Sequence, residues 1–109
     1  MQNDDVTTPA GKFKTYIAGF SNTGPEIDLT GSGCGIISTY PNERFAIMDG
    51  TSMACPCATG AIARRLAKAP AVLNARRDAT RADQIAKLAL AEAKDLGFPP
   101  SKQGAGLRT

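Results

Sequence analysis

Apolar residues change their period close to Asp49-Gly50. Upstream they fall in short runs separated by turn chemistry. Phe13 to Phe20 carries aromatic and β-branched residues (Tyr16, Ile17) suited to a strand, closed by Ser21-Asn22-Thr23-Gly24-Pro25. Ile27-Asp28-Leu29-Thr30 alternates as a short strand does. Gly31, Gly33 and Gly35 form a turn-rich link around Cys34, and Ile36 to Tyr40 is β-branched enough for a further strand. Pro41-Asn42-Glu43-Arg44 reads as a turn, after which Phe45-Ala46-Ile47-Met48 leads to Asp49-Gly50.

Downstream the period becomes helical. Ser52 is expected to open a helix, with Pro56 tolerated in its first turn. Ala58, Ile62, Leu66, Ala69 and Leu73 recur at spacings of three and four and form one apolar stripe, with Pro70 as the expected stop. Gly60 weakens a helix by about 1 kcal/mol relative to Ala, which predicts close packing at that point. A second helix is expected from a capping-box-like start at Thr80-Arg81-Ala82-Asp83, with a stripe of Ala82, Ile85, Ala89, Ala93 and Leu96 that Glu92 interrupts. Gly97, Pro99 and Pro100 mark its end, and Gly104-Ala105-Gly106-Leu107 reads as a short closing strand. A few short strands followed by two main helices predicts an α/β class.

Composition narrows the function classes. With 109 residues the chain is one domain or part of one, and 42% hydrophobic with 21% charged residues is ordinary for a globular chain. Residues 1–11 are polar and read as a tail, leaving 12–109 as the structured part. A formal charge of +3, no Trp and 6% aromatics speak against nucleic-acid binding. Arg64, Arg65, Lys68, Arg76, Arg77 and Arg81 form a basic cluster whose commoner meaning is surface solvation. No apolar run of about 18 residues predicts a membrane span, and the acidic start Met1 to Asp5 does not resemble a signal peptide. Cys34, Cys55 and Cys57 are an odd set without any histidine, so reduced thiols are expected rather than a disulfide framework or a zinc site. No metal and no cofactor is expected.

The chemistry concentrates in Gly50-Thr51-Ser52-Met53-Ala54-Cys55-Pro56-Cys57-Ala58-Thr59-Gly60. This stretch resembles the segment around the nucleophilic serine of the subtilisin-like serine proteases, usually Gly-Thr-Ser-Met-Ala-x-Pro-His-Val-Ala-Gly. Phe20 to Gly24 is similar to the Phe-Ser-Asn/Ser-x-Gly segment that precedes it in that family. Ile27 to Gly33 resembles the (Val/Leu)-Asp-(Val/Ile)-x-Ala-Pro-Gly stretch with Gly-Ser in place of Ala-Pro, and Ile36 to Thr39 resembles the following Ile-x-Ser-Thr strand. The helix over 80–96 and Gly104 to Leu107 match the closing helix and Gly-x-Gly-Leu strand, so the resemblance covers residues 17–107.

The resemblance implies the C-terminal portion of a parallel-sheet α/β catalytic domain, roughly its last third. It implies Ser52 as nucleophile and the Ser52 backbone N–H as an oxyanion donor. The triad Asp and His and the oxyanion-hole Asn belong to upstream positions this chain does not contain. Cys57 stands where the family has a histidine that packs beneath the nucleophile helix. Serine acylation needs a base, and a chain with no histidine has no imidazole to supply one. A Ser–Lys pair would draw on Lys12, Lys14, Lys68, Lys87, Lys94 or Lys102, none selected by spacing. The expected function is therefore a serine endopeptidase portion that is inactive alone, with peptide substrate only in a complete domain. The alternative is a catalytically dead module that self-associates or meets a complementing chain through open strand edges and apolar stripes. The family is often secreted, but the residues themselves assign no compartment.

Overall fold

The computed structural model describes residues 16–109. Its elements are β1 (Ile36–Tyr40), β2 (Arg44–Met48), α1 (Thr51–Ala67), α2 (Pro70–Leu73), α3 (Ala79–Ala91) and α4 (Pro100–Gln103). Short strands thus precede two main helices, the order expected of the C-terminal part of a subtilisin-like α/β fold. The tail over 1–11 lies outside the described residues, as does the first part of the strand expected from Phe13.

β1 and β2 form an antiparallel hairpin in which Ile37 faces Ile47 and Thr39 faces Phe45. Asn42 and Glu43 both take positive φ (66° and 58°), the pair of left-handed residues that gives a tight turn the twist of its strands. Alternation puts Ile37, Phe45 and Ile47 on one face, and they are 66%, 72% and 69% exposed. On the other face Ile36 and Ala46 are half-buried.

Other expected strands are replaced by single bridges. Residues 16–20 form no strand, and of Ile27 to Thr30 only Thr30 pairs, in parallel with Leu107. Leu107 also pairs antiparallel with Lys94, each donating to the other's carbonyl at 2.8 Å. Ala105 donates to Asp28, Gly106 accepts from Thr30, and Arg108 donates back to Thr30. The closing segment is thereby threaded between two stretches distant in sequence. Glycine is required at two points, because a Cβ on Gly104 (φ 61°) would strike the Asp28 carbonyl and one on Gly106 (φ 127°) the Lys94 carbonyl.

These bonds correct the helix boundaries. α3 ends at Ala91 rather than near Gly97, because Lys94 leaves the helical ladder to pair with Leu107. Its N-cap is Asp78, whose side chain accepts from the Arg81 N–H at 2.9 Å, so the capping box at Thr80 does not form. α1 ends at Ala67, and Pro70 starts α2 instead of stopping α1. Pro56 lies inside α1, beyond its first turn. Gly60 is exposed with nothing within 4 Å of a Cβ placed there, so it marks no close contact in this chain.

The core is small. Ile17, Leu96 and Phe98 are buried together with Leu107 packed on them, and Ala58, Ala61 and Ala89 are the buried residues of α1 and α3. Ala82 and Leu73, expected in the buried stripes, are exposed. Gln103 is the polar centre of the closing loop. Its Oε1 accepts from Leu96 N–H at 2.8 Å, its Nε2 donates to Asp95 Oδ1 and to Phe98 O, and its carbonyl accepts from Thr30 Oγ1 at 3.0 Å. Among the described residues no helix is long and apolar enough to cross a membrane.

Candidate active site

The turn before Ser52 is built from backbone contacts that only glycine permits. Gly50 has φ 153° and ψ 161°, a region essentially closed to residues with a Cβ. Its N–H donates to Gly33 O at 2.8 Å, and its carbonyl accepts from Met53 and Ala54 N–H at 3.0 and 3.1 Å. Gly31 and Gly33 lie flat against this turn: a Cβ on either would come 2.7 Å from the Ala54 or Gly50 carbonyl. Asp49 accepts the Gly35 N–H on its Oδ1, tying the base of the hairpin to the same loop. Glycines read from sequence as a turn-rich link therefore form the bed of the helix start.

Ser52 follows as the second residue of α1 and is exposed. Gly50 is the N-cap and Thr51 the first helical residue, one position before the expected start at Ser52. Among the described residues the Thr51 and Ser52 N–H groups donate to no backbone carbonyl, as first-turn groups of a helix do not. They lie at the positive end of the helix dipole, where negative charge is favoured. Pro56 has no N–H, so the Ser52 carbonyl lacks its helical donor four residues on. An exposed hydroxyl beside unpaired N–H groups can form an ester and hold an oxyanion; it cannot deprotonate itself at neutral pH.

Among the described residues no candidate base is brought beside it; Lys12 and Lys14 lie outside those residues. Lys68 is beyond the far end of α1, and Lys87 is on α3. Lys102 lines a hollow of about 250 Å³ with Thr51, Ala54 and Cys55, and Ser52 does not line it. Cys34, Cys55 and Cys57 are free thiols, Cys55 exposed and the others half-buried. Tyr16 meets the Cys34 thiol; the hydrogen bond between them is the main cause that pushes the phenol up, followed by burial and by the Cys34 and Asp49 charges.

Comparison with known proteins identifies the family. The profile of the subtilase family matches residues 6–106. The chain belongs to the subtilase family. An intracellular serine protease of Paenibacillus polymyxa is 36% identical over 105 residues, covering 96% of this chain and 31% of that protein. The major intracellular serine protease of Bacillus subtilis is 38% identical over 61 residues, 56% of this chain and 19% of that protein. Subtilisin E of Bacillus subtilis is 43% identical over 58 residues, 53% and 15% of the two chains. This subtilase chain spans less than a third of the length of each of these relatives.

Two residues that pattern reading passed over matter to the architecture around the turn. Gln103 carries no periodic signal, and its burial follows from the loop closing around it. Glu92, an interruption of the apolar stripe by sequence, sits past the last turn of α3 and pairs with Arg65 of α1 at 2.7 Å. The basic cluster is divided: Arg81 turns inward and donates to the Val72 and Leu73 carbonyls at the end of α2, while Arg76 and Arg77 stay exposed in the loop before α3.

Proposed function

We propose that this chain is the nucleophile-bearing portion of a subtilisin-like serine endopeptidase. Ser52 would attack the scissile carbonyl of a peptide, and its N–H would donate to the oxyanion of the tetrahedral intermediate. The observation that carries this reading is the exposed Ser52 in the first turn of α1, with its N–H unpaired among the described residues and the turn held by Gly31, Gly33 and Gly50. The base and its orienting carboxylate would come from the family's upstream His and Asp, because the 109 residues contain no histidine. Alone, the chain would not hydrolyse peptides.

A fluorophosphonate probe tests this directly. The chain by itself stays unlabelled at neutral pH, and adding a polypeptide with the upstream His- and Asp-bearing segments of a subtilase produces labelling that Ser52→Ala abolishes. Labelling of the chain alone that Ser52→Ala removes would overturn the inactive-alone reading; no labelling in the mixture would count against Ser52 as nucleophile.

A second reading is favoured by the hairpin. Ile37, Phe45 and Ile47 form an exposed apolar face on a two-stranded sheet, which is marginal without further burial. A module that associates through this face, with no chemistry at Ser52, would show concentration-dependent association that Phe45→Lys reduces. A monomer by light scattering across the micromolar range speaks against it.

A further inference from the structure

At the opposite end of α1 from Ser52 lies an open hollow of about 400 Å³ lined by Ala61, Arg64, Arg65, Lys68, Glu92 and Arg108, with Thr109 at its rim. Ala61, Arg64, Arg65 and Lys68 are three and four residues apart and so share one face of the last turns of α1. Arg108 arrives from the closing segment, held there by its N–H bond to Thr30 O at 2.9 Å. Four cationic side chains therefore line one hollow with a single side-chain carboxylate, that of Glu92. Its Oε2 takes Arg65 Nε at 2.7 Å and meets Arg108 Nη2 at 3.6 Å.

Cations near a helix C-terminus complement its dipole, and that accounts for Arg64, Arg65 and Lys68 without any ligand. It does not account for Arg108, which belongs to another segment, is 6% exposed and, among the described residues, has a buried Nε with no hydrogen-bond partner. Three guanidinium groups and one ammonium line the hollow against the single side-chain carboxylate of Glu92, so positive charge is in excess there. We propose that this hollow is a binding site for a small tetrahedral oxoanion of the phosphate class. Guanidinium forks match such an anion in shape and charge, and Lys68 adds a point charge at the open side. The attraction comes from side chains, because the carbonyl end of α1 itself repels an anion. Glu92 fits the same reading: it holds Arg65 and Arg108 in place, and its negative charge at the wall disfavours an extended polyanion such as nucleic acid. About twelve residues of helix, roughly 18 Å, separate Arg64 from Ser52, so the site is apart from the nucleophile turn.

Equilibrium dialysis of the full chain against labelled inorganic phosphate tests this, with chloride added to hold ionic strength constant. One saturable site per chain is expected, and the double variant Arg64→Gln, Lys68→Gln should weaken it by about tenfold or more. The double variant Arg76→Gln, Arg77→Gln removes the same charge from the exposed loop before α3 and should leave affinity within about twofold. All four positions are on the surface or at its edge, so circular dichroism should show the fold retained. Absence of saturable binding, retention of affinity in the first variant, or an equal loss in both variants overturns the site; the last outcome would mean that net charge alone attracts the ion. Displacement of phosphate by a short single-stranded oligonucleotide, with a steeper salt dependence than for phosphate itself, would likewise replace it with a nucleic-acid surface.

Discussion

The N–H of Gly50 donates to the carbonyl of Gly33 at 2.8 Å, and a Cβ on Gly33 would lie 2.7 Å from the carbonyl of Gly50. Two glycines seventeen positions apart in the numbering thus form the joint on which α1 begins and against which Ser52 is set. The hairpin between them acts as a long loop whose ends meet at this bond.

Gly33→Ala should push this joint apart. Over-packing of that kind costs about 1–3 kcal/mol. Urea unfolding followed by circular dichroism should show a lowered midpoint, whereas an unchanged midpoint would mean that the loop and the helix start do not touch in solution.

Ser52→Cys reads the electrostatics of the first turn without needing a base. In a background with Cys34, Cys55 and Cys57 replaced by Ser, the new thiol sits among unpaired N–H groups at a helix N-terminus, which stabilise a thiolate. Its alkylation rate against pH should have a midpoint below the ordinary thiol value of about 8.5. A midpoint at or above that value would remove the basis for oxyanion stabilisation by this turn.

Gln103→Leu should strand several groups at once. It leaves the Leu96 N–H without its side-chain acceptor and removes the Nε2 bonds to Asp95 and Phe98. One buried group left unsatisfied costs about 1–3 kcal/mol, so a comparable or larger loss is expected in chemical denaturation. Hydrogen exchange should show the Leu96 amide opening first. Equal protection of that amide in both proteins would contradict the assignment.

Tyr16 supplies a pH dependence. Its phenol is pushed above the ordinary value, so the folded chain retains a proton that the unfolded chain releases at high pH. The associated stability is fully present below about pH 10 and is lost as pH rises through the folded-state value. Absorbance titration of Tyr40→Phe, which leaves Tyr16 alone, should give a midpoint above about 10, and Cys34→Ala should bring it back down. No difference between the two would show that the thiol does not hold the phenol.

The parts legible in the sequence are those whose cause is local. β1 follows from its β-branched run, and a turn at Pro41 to Arg44 was readable from residue type. α1 and α3 follow from spacing at three and four, though only Ala58, Ala61 and Ala89 in them are buried. Exposure of Leu73 and Ala82 has the opposite origin: a periodic stripe shows which face is apolar, not whether anything covers it. Asp78 caps α3 although Thr80 carries the same capping chemistry two residues later, so residue type alone does not separate them.

The sequence by itself determined the family, through five segments in the right order, the place of Ser52 at the start of a helix, and the lack of any imidazole. Tertiary structure alone decided that Thr30 bonds to Gly106 and Arg108 and Lys94 to Leu107, that α3 stops at Ala91, and that Gln103 and Arg108 are buried. The physical reason is that buried backbone N–H and C=O groups must find partners, and here the partners lie up to 78 residues away, as between Arg108 and Thr30. Side-chain period encodes which residues turn inward within one element. It carries no record of which distant carbonyl an N–H will meet.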